Sequence, residues 1–237
     1  MDVAPFTTSF LNVAGWAGRW GRTALDLAFP APEIDTAATR RMAAPFCRRC
    51  GEPFPGVIVG EFLCANCEER DWTLAWARAA WRAEGGVRDA ILEFKYRHQF
   101  HHLSPLCDRL EDGFREFAAG ERWDGLVCVP LHPLRRRERG FNQAEELARA
   151  LGKRQGLPFL GCLKRVRPTP PQARLGRGPR LRNLLGAFTY DARFDVAGRN
   201  LLLIDDVLTT GATAEACARV LAAEGARRVA ALTVARA

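Results

Sequence analysis

Leu201-Leu-Leu-Ile-Asp-Asp-Val-Leu-Thr-Thr-Gly-Ala-Thr213 decides the reading of this 237-residue chain. Four consecutive aliphatics, Leu201 to Ile204, predict a fully buried strand. Asp205 and Asp206 stand at its C-terminal end. A turn rich in hydroxyls follows, and a helical pattern runs from Ala214 to Glu224. Strand, acidic pair, turn and helix N-terminus in that order suit a sugar phosphate. Backbone N–H groups of the turn, with the helix dipole behind them, can hold a terminal phosphate. Thr209, Thr210 and Thr213 add hydroxyl donors around Ala212. Gly211 permits a tight turn and close approach of the backbone. Asp205 and Asp206 can accept hydrogen bonds from vicinal ribose hydroxyls. The turn lacks the Gly-Lys-Ser/Thr ending of a Walker A loop. The competing reading is structural: a buried strand, an Asp cap and a Thr-rich turn.

A second strand end has the same character. Gly125 to Val129 predicts a short buried strand, ended by Pro130. A loop through Gln143 follows, then a helix from about Ala144 to Arg154, which Asn142 can cap. Open α/β sheets bind ligands at such places. Arg135, Arg136, Arg137 and Arg139 put dense positive charge there; a merely solvated loop is the plain alternative. Helical spacing is also expected over Val87–Lys95 and Leu103–Ala119. Trp72–Glu84 is ambiguous between helix and strand, and further strands are expected at Gly186–Tyr190 and Arg227–Val234. Strands alternating with helices imply an α/β fold with a mostly parallel sheet flanked by helices.

Residues 164–182 are the longest irregular run. They carry seven basic residues, among them Lys164, Arg174, Arg177 and Arg180, and no acid. A basic loop of that length reads as a lid or a binding loop.

Four of the eight cysteines form Cys47-x-x-Cys50 and Cys64-x-x-Cys67. Each pair can place two thiolates on one metal, and a hairpin over Val57–Phe62 would bring the pairs together. That is the spacing of a closed, structural, all-thiolate zinc site, a zinc ribbon. Disulfides are the alternative, disfavoured in a reducing compartment. Cys107, Cys128, Cys162 and Cys217 sit in apolar patterns and read as core residues. The expected organisation is a helical lead-in at 1–44, the ribbon at 45–70 and the α/β domain at 71–237.

A formal net charge of +8 favours anionic partners. No charge-free apolar stretch reaches membrane-spanning length, and no secretory signal is read at the N-terminus. A cytoplasmic protein is therefore expected. The amphipathic stretch 9–28 reads as a helix docked on the body, or one touching a membrane surface.

Several motifs occur here in one order. They are the four-cysteine ribbon, Phe94-Lys95-Tyr96, Val129-Pro130, Arg139-Gly140-Phe141-Asn142-Gln143, Thr169-x-x-Gln172, Arg182-Asn183 and the Asp205–Thr213 turn. Together they resemble the ComF family of competence-associated phosphoribosyltransferase-like proteins, over about residues 45–237. The turn by itself resembles the phosphoribosyl pyrophosphate (PRPP) signature of type I phosphoribosyltransferases. The resemblance implies that fold behind a zinc ribbon, and a role in DNA uptake or in use of imported DNA. It implies PRPP as ligand, with Mg²⁺ bridging pyrophosphate and ribose oxygens. Asp205 and Asp206 would then hold the ribose hydroxyls, and Thr209, Thr210, Gly211, Ala212 and Thr213 the 5′-phosphate. Arg139, with Lys95 or Arg174, would neutralise the leaving pyrophosphate. Other partners implied are single-stranded DNA and proteins of the competence machinery, which would bring the chain to the membrane. A phosphoribosyltransferase of unnamed acceptor and a catalytically silent PRPP-sensing or DNA-binding module both fit this reading.

Overall fold

The computed structural model describes residues 34–37, 39–69, 71–97, 99–168, 184 and 186–237. The stretch 9–28, Asn183 and most of the basic run, including Thr169, Gln172, Arg174 and Arg182, lie outside them. Among the described residues the central element is a four-stranded parallel sheet of order β1-β6-β5-β2. Its strands are β1 (Ala77–Arg82), β2 (Gly125–Cys128), β5 (Asn200–Leu208) and β6 (Arg228–Arg236). A separate antiparallel pair is formed by β3 (Leu163–Arg165) and β4 (Phe188–Tyr190). The helices are α1 (Ala65–Glu68), α2 (Gly85–Arg97), α3 (Leu103–Gly113), α4 (Pro133–Arg139), α5 (Gln143–Gln155) and α6 (Ala212–Ala223). A π-helical turn, Phe114–Ala118, prolongs α3.

The continuous aliphatic run in β5 is explained by burial on both faces. Leu202 and Ile204 point into a core shared with α2, α3 and α5. Leu201 and Leu203 point the other way, into a core with α6 and the β3–β4 pair. All four are essentially inaccessible to solvent. Each such side chain contributes roughly 2 kcal/mol on leaving water. Cys107, Cys128, Cys162 and Cys217 are buried in these two cores, as expected of small apolar residues.

Three elements depart from the expectations above. β5 does not stop at Ile204 but runs on to Leu208. Its partner β6 continues alongside, with Asp205 opposite Thr233 and Val207 opposite Ala235. Residues 131–143 are not all loop, since 133–139 are helical. His132 Nδ1 accepts the Leu134 N–H at 3.3 Å, Pro133 occupies the first turn, and Gly140 ends the helix at φ +70°. The hairpin expected at 57–62 does not form. Val57 and Val59 are 95% and 99% exposed and have no surface to pack on. A bridge between Phe46 and Pro53 closes the first knuckle, and the Arg48 N–H, donating to the Phe62 carbonyl at 2.7 Å, draws the second pair to it.

Residues 39–42 lie along β1, with Met42 donating to the Ala80 carbonyl at 2.8 Å and Arg41 bridging Trp81. The cysteine module is also tied to the sheet. Ala77 N–H donates to the Arg49 carbonyl at 2.7 Å, and the Arg78 guanidinium donates to the Arg48 carbonyl at 2.6 Å. Arg236, 4% exposed, donates to the Cys50 carbonyl at 2.7 Å and pairs with Glu52. Among the described residues no helix is long and apolar enough to cross a membrane.

Asn142 is the joint between β2 and α5. Its Oδ1 accepts the Ala144 N–H at 3.1 Å, and its Nδ2 donates to the Val129 carbonyl at 3.1 Å. Asn142→Ala loses the cap and leaves a buried carbonyl unpaired, so it should cost about 2–3 kcal/mol. Urea unfolding monitored by circular dichroism measures that loss.

Candidate functional site

The site lies at the carboxyl ends of β5 and β2, where an open parallel sheet offers its crevice. Asp205 and Asp206 are consecutive in β5, so they point to opposite faces. Asp206 is buried and faces the Lys95 ammonium at 2.7 Å across an ion pair. At that distance the contact falls in the range of charge-assisted hydrogen bonds. Burial alone would depress Lys95. The Asp206 carboxylate outweighs that and holds the ammonium above its ordinary pKa. Asp205 retains some access to solvent, yet protein atoms surround its carboxyl closely. Its Oδ1 accepts the Asp206 N–H at 2.9 Å. Desolvation first, and repulsion from Asp206 second, push its pKa up to about 7. Lys95 relieves only part of this. The site therefore holds more negative charge than its own cations balance.

Lys95 arrives there because α2 is pinned at its C-terminal end. Phe94 packs on Phe141 with ring centroids 5.1 Å apart, and Phe100 packs on both. Tyr96, on the other side of Lys95, lies under the Arg139 guanidinium at 4.8 Å. Arg139 is steadied further by donating to Gln143 Oε1 at 3.1 Å. The Phe94–Tyr96 and Arg139–Gln143 segments, separate in sequence, thus interlock beside the acidic pair.

Residues 209–211 turn from β5 into α6. Gly211 caps the helix at φ +75°, in the left-handed region that favours glycine. Ala212 N–H donates to Thr210 Oγ1 at 3.4 Å. Thr209 is exposed, Thr210 and Thr213 are partly so, and Gly211 and Ala212 are buried. The first N–H groups of α6 have no intrahelical acceptors and stand at the positive end of the helix dipole. The arrangement can take an anion.

Two supports of this turn carry no local signal in the sequence. A side chain at Gly211 would meet Trp72 Cη2 at 2.9 Å, so the indole lies directly on the turn. Trp72 also packs against the four cysteines. Glu215, 2% exposed on the first turns of α6, accepts the Thr73 and Leu74 N–H groups at 3.0–3.1 Å and the Arg219 Nε at 2.8 Å. It clamps the chain that follows the cysteine module onto the helix that begins at the turn.

Cys47, Cys50, Cys64 and Cys67 are buried, with their sulfurs all within 4.8 Å of one another. Hydrogen bonding to Cys50 and Cys67 pulls Cys47 down, while Cys67 is driven up. The four together can hold a metal ion.

Residues 120–237 match the family model of the phosphoribosyl transferase domain. Competence protein F of Haemophilus influenzae is 28% identical over 200 residues, covering 81% of this chain and 85% of that protein. Competence protein ComFC of Bacillus subtilis is 27% identical over 193 residues, covering 78% and 75%. The DNA utilization protein YhgH of Salmonella typhi is 38% identical over 112 residues. These matches support a ComF-family, phosphoribosyltransferase-like protein. Its fold is the type I phosphoribosyltransferase fold, with a four-cysteine module on the N-terminal side. The YhgH alignment takes in 45% of this ComF-family chain and spans about half of that relative, 46% of its length.

The raised Asp205 pKa has a consequence for stability. Between pH of about 4 and 7 the native state keeps a proton that the unfolded chain releases. Native stability therefore falls as pH rises through that window. Asp205→Asn removes the titration and keeps the acceptor for Asp206 N–H. Wild type and variant should be equally stable at pH 4, with the variant ahead by about 1 kcal/mol or more at pH 8. Thermal unfolding across a pH series reads this directly, in protein free of ligand.

Proposed function

We propose that this protein binds PRPP with Mg²⁺ at the Asp205–Thr213 segment and acts in the handling of imported DNA. One observation carries the reading. An under-neutralised acidic pair and a helix N-terminus stand side by side at the carboxyl edge of a parallel sheet, with Lys95 and Arg139 on their flank. Anion-binding and cation-binding groups so close suit a ligand with both a phosphate and ribose hydroxyls. The 5′-phosphate sits on the N–H groups and hydroxyls of Thr209–Thr213. Asp205 and Asp206 accept from the ribose hydroxyls, directly or through the metal. Arg139 faces the pyrophosphate, and Lys95 holds the Asp206 side chain in place across their ion pair. Mg²⁺, a hard ion suited to carboxylate and phosphate oxygens, supplies charge neutralisation for the leaving pyrophosphate. The protein's contribution to C1–O bond cleavage is then positional and electrostatic.

In the same reading the cysteine module holds one structural zinc. Tetrahedral Zn–S bonds of about 2.3 Å space sulfurs about 3.8 Å apart. Cys50 and Cys64 sulfurs stand 3.7 Å apart, close to that spacing. Four thiolates leave no open position, so the ion serves folding rather than chemistry.

Calorimetry with PRPP and Mg²⁺ tests the site. Asp205→Asn should weaken binding by about 1–3 kcal/mol, from loss of a charge-assisted contact. Equal affinities would remove the acidic pair from the site. Pyrophosphate release with a panel of nucleobases and amines separates a transferase from a PRPP sensor. Elemental analysis should give one zinc per chain, and Cys64→Ser should lose it while the sheet's circular dichroism persists. A metal-free protein with an ordered module would contradict the zinc assignment.

A further inference from the structure

A groove outside the PRPP turn has its own chemistry. It opens along the outer edge of β2, between α4, the start of α5 and β3, with a volume of about 1060 Å³. Cys128 lines its inner end and pairs in register with Ile204, one residue before Asp205. The groove therefore begins beside the acidic pair and leads away from it.

Its walls are basic. Arg136 and Arg149 share one carboxylate, Glu145, at 3.1 and 2.9 Å. Lys164 and Arg193 share another, Asp191, at 2.8 and 2.7 Å. Each acid orients two cations and cancels the charge of only one. The cationic heads remain largely in solvent, with Arg193 79% exposed. Arg137 adds a further exposed charge.

Its floor is aromatic. Phe159 and Phe194 both line the groove, with Gly161 between them. A side chain at Gly161 would reach Phe159 Cε1 at 3.6 Å and Phe194 Cζ at 3.9 Å. Leu126 accepts from Leu160 N–H and donates to the Pro158 carbonyl, both at 2.8 Å, which fixes Phe159 to the sheet edge. Arg149 covers one face of that ring, 4.3 Å from its centroid.

Oriented cations beside a pair of rings match a base carried on a phosphate. Pyrophosphate would make no use of the rings. We propose that this groove binds nucleotide units, with phosphates on Arg137 and Arg193 and a base over Gly161 between Phe159 and Phe194. Free nucleotide and single-stranded nucleic acid share that chemistry.

Fluorescence anisotropy with a labelled oligothymidylate, over a salt series, tests the groove. Gly161→Leu fills the gap between the rings without touching a charge. Gly161 is exposed and its Cβ contacts are ordinary, so the variant should fold, and unchanged circular dichroism checks this. It should bind about ten-fold more weakly at an unchanged salt slope. Arg137→Ala with Arg193→Ala should lower the slope by about 1.4, at about 0.7 per phosphate lost. Affinity rising with oligonucleotide length identifies a strand, and equal displacement by thymidine 5′-monophosphate identifies free nucleotide; either supports the site. Wild-type binding by a folded Gly161→Leu protein overturns it. So does displacement by inorganic pyrophosphate as effective as that by the oligonucleotide. PRPP calorimetry on the same variants should be unchanged, so the outcome is independent of the PRPP reading.

Discussion

Two adjacent carboxylates in a buried strand are costly unless positive charge is brought to them. Much of the site's architecture meets that requirement. The Lys95 ammonium lies 2.7 Å from Asp206, and α2 must end where it does to deliver it. The Phe94–Phe100–Phe141 cluster and the Arg139–Tyr96 stack fix that helix end. Asn142 in turn fixes the segment bearing Phe141 to the end of β2. Asp205 is left with too little compensation, and its raised pKa records the deficit. Carboxylates perturbed in this way cluster at functional sites.

The cysteine module is joined to the same site. Its chain continues into Trp72, which lies on Gly211, and then into Thr73 and Leu74, held by Glu215. On its other side Arg236, from the end of β6, reaches back to the Cys50 carbonyl and Glu52. A module too small to bury a core thus gains a fixed seat, and the β5–α6 turn gains a backing. The aromatic contact and the carboxylate clamp act on the backbone that opens α6, whose first N–H groups have no intrahelical acceptors.

Much of the fold was legible because its signals are local. Leu201–Ile204 announced a strand buried on both faces, and the spacing of the two Cys-x-x-Cys pairs announced the four-cysteine cluster. Asn142 was readable as a cap from its place before an amphipathic run. What escaped the sequence was set by distant partners. β5 extends past its aliphatic run because β6 lies beside it. Val57 and Val59 look like strand residues but face water. His132-Pro133 and Gly140 did carry the start and stop of α4, yet the four arginines between them read as a loop. Trp72, Glu215 and the Phe159–Gly161–Phe194 floor depend on contacts between segments far apart in sequence. The lysine named for pyrophosphate is engaged with Asp206, a pairing across more than a hundred residues that no local pattern announces.

The central claim is that the β5–α6 turn, braced by Trp72 and Glu215, is the phosphate seat of a PRPP site governed by the acidic pair. A crystal structure of the protein soaked with PRPP and Mg²⁺ tests it most directly. The account predicts the 5′-phosphate within hydrogen-bonding distance of the Thr209–Thr213 N–H groups, with the ribose hydroxyls turned toward Asp205 and Asp206. Ligand density elsewhere, with the turn empty and Asp205 unchanged, would contradict it.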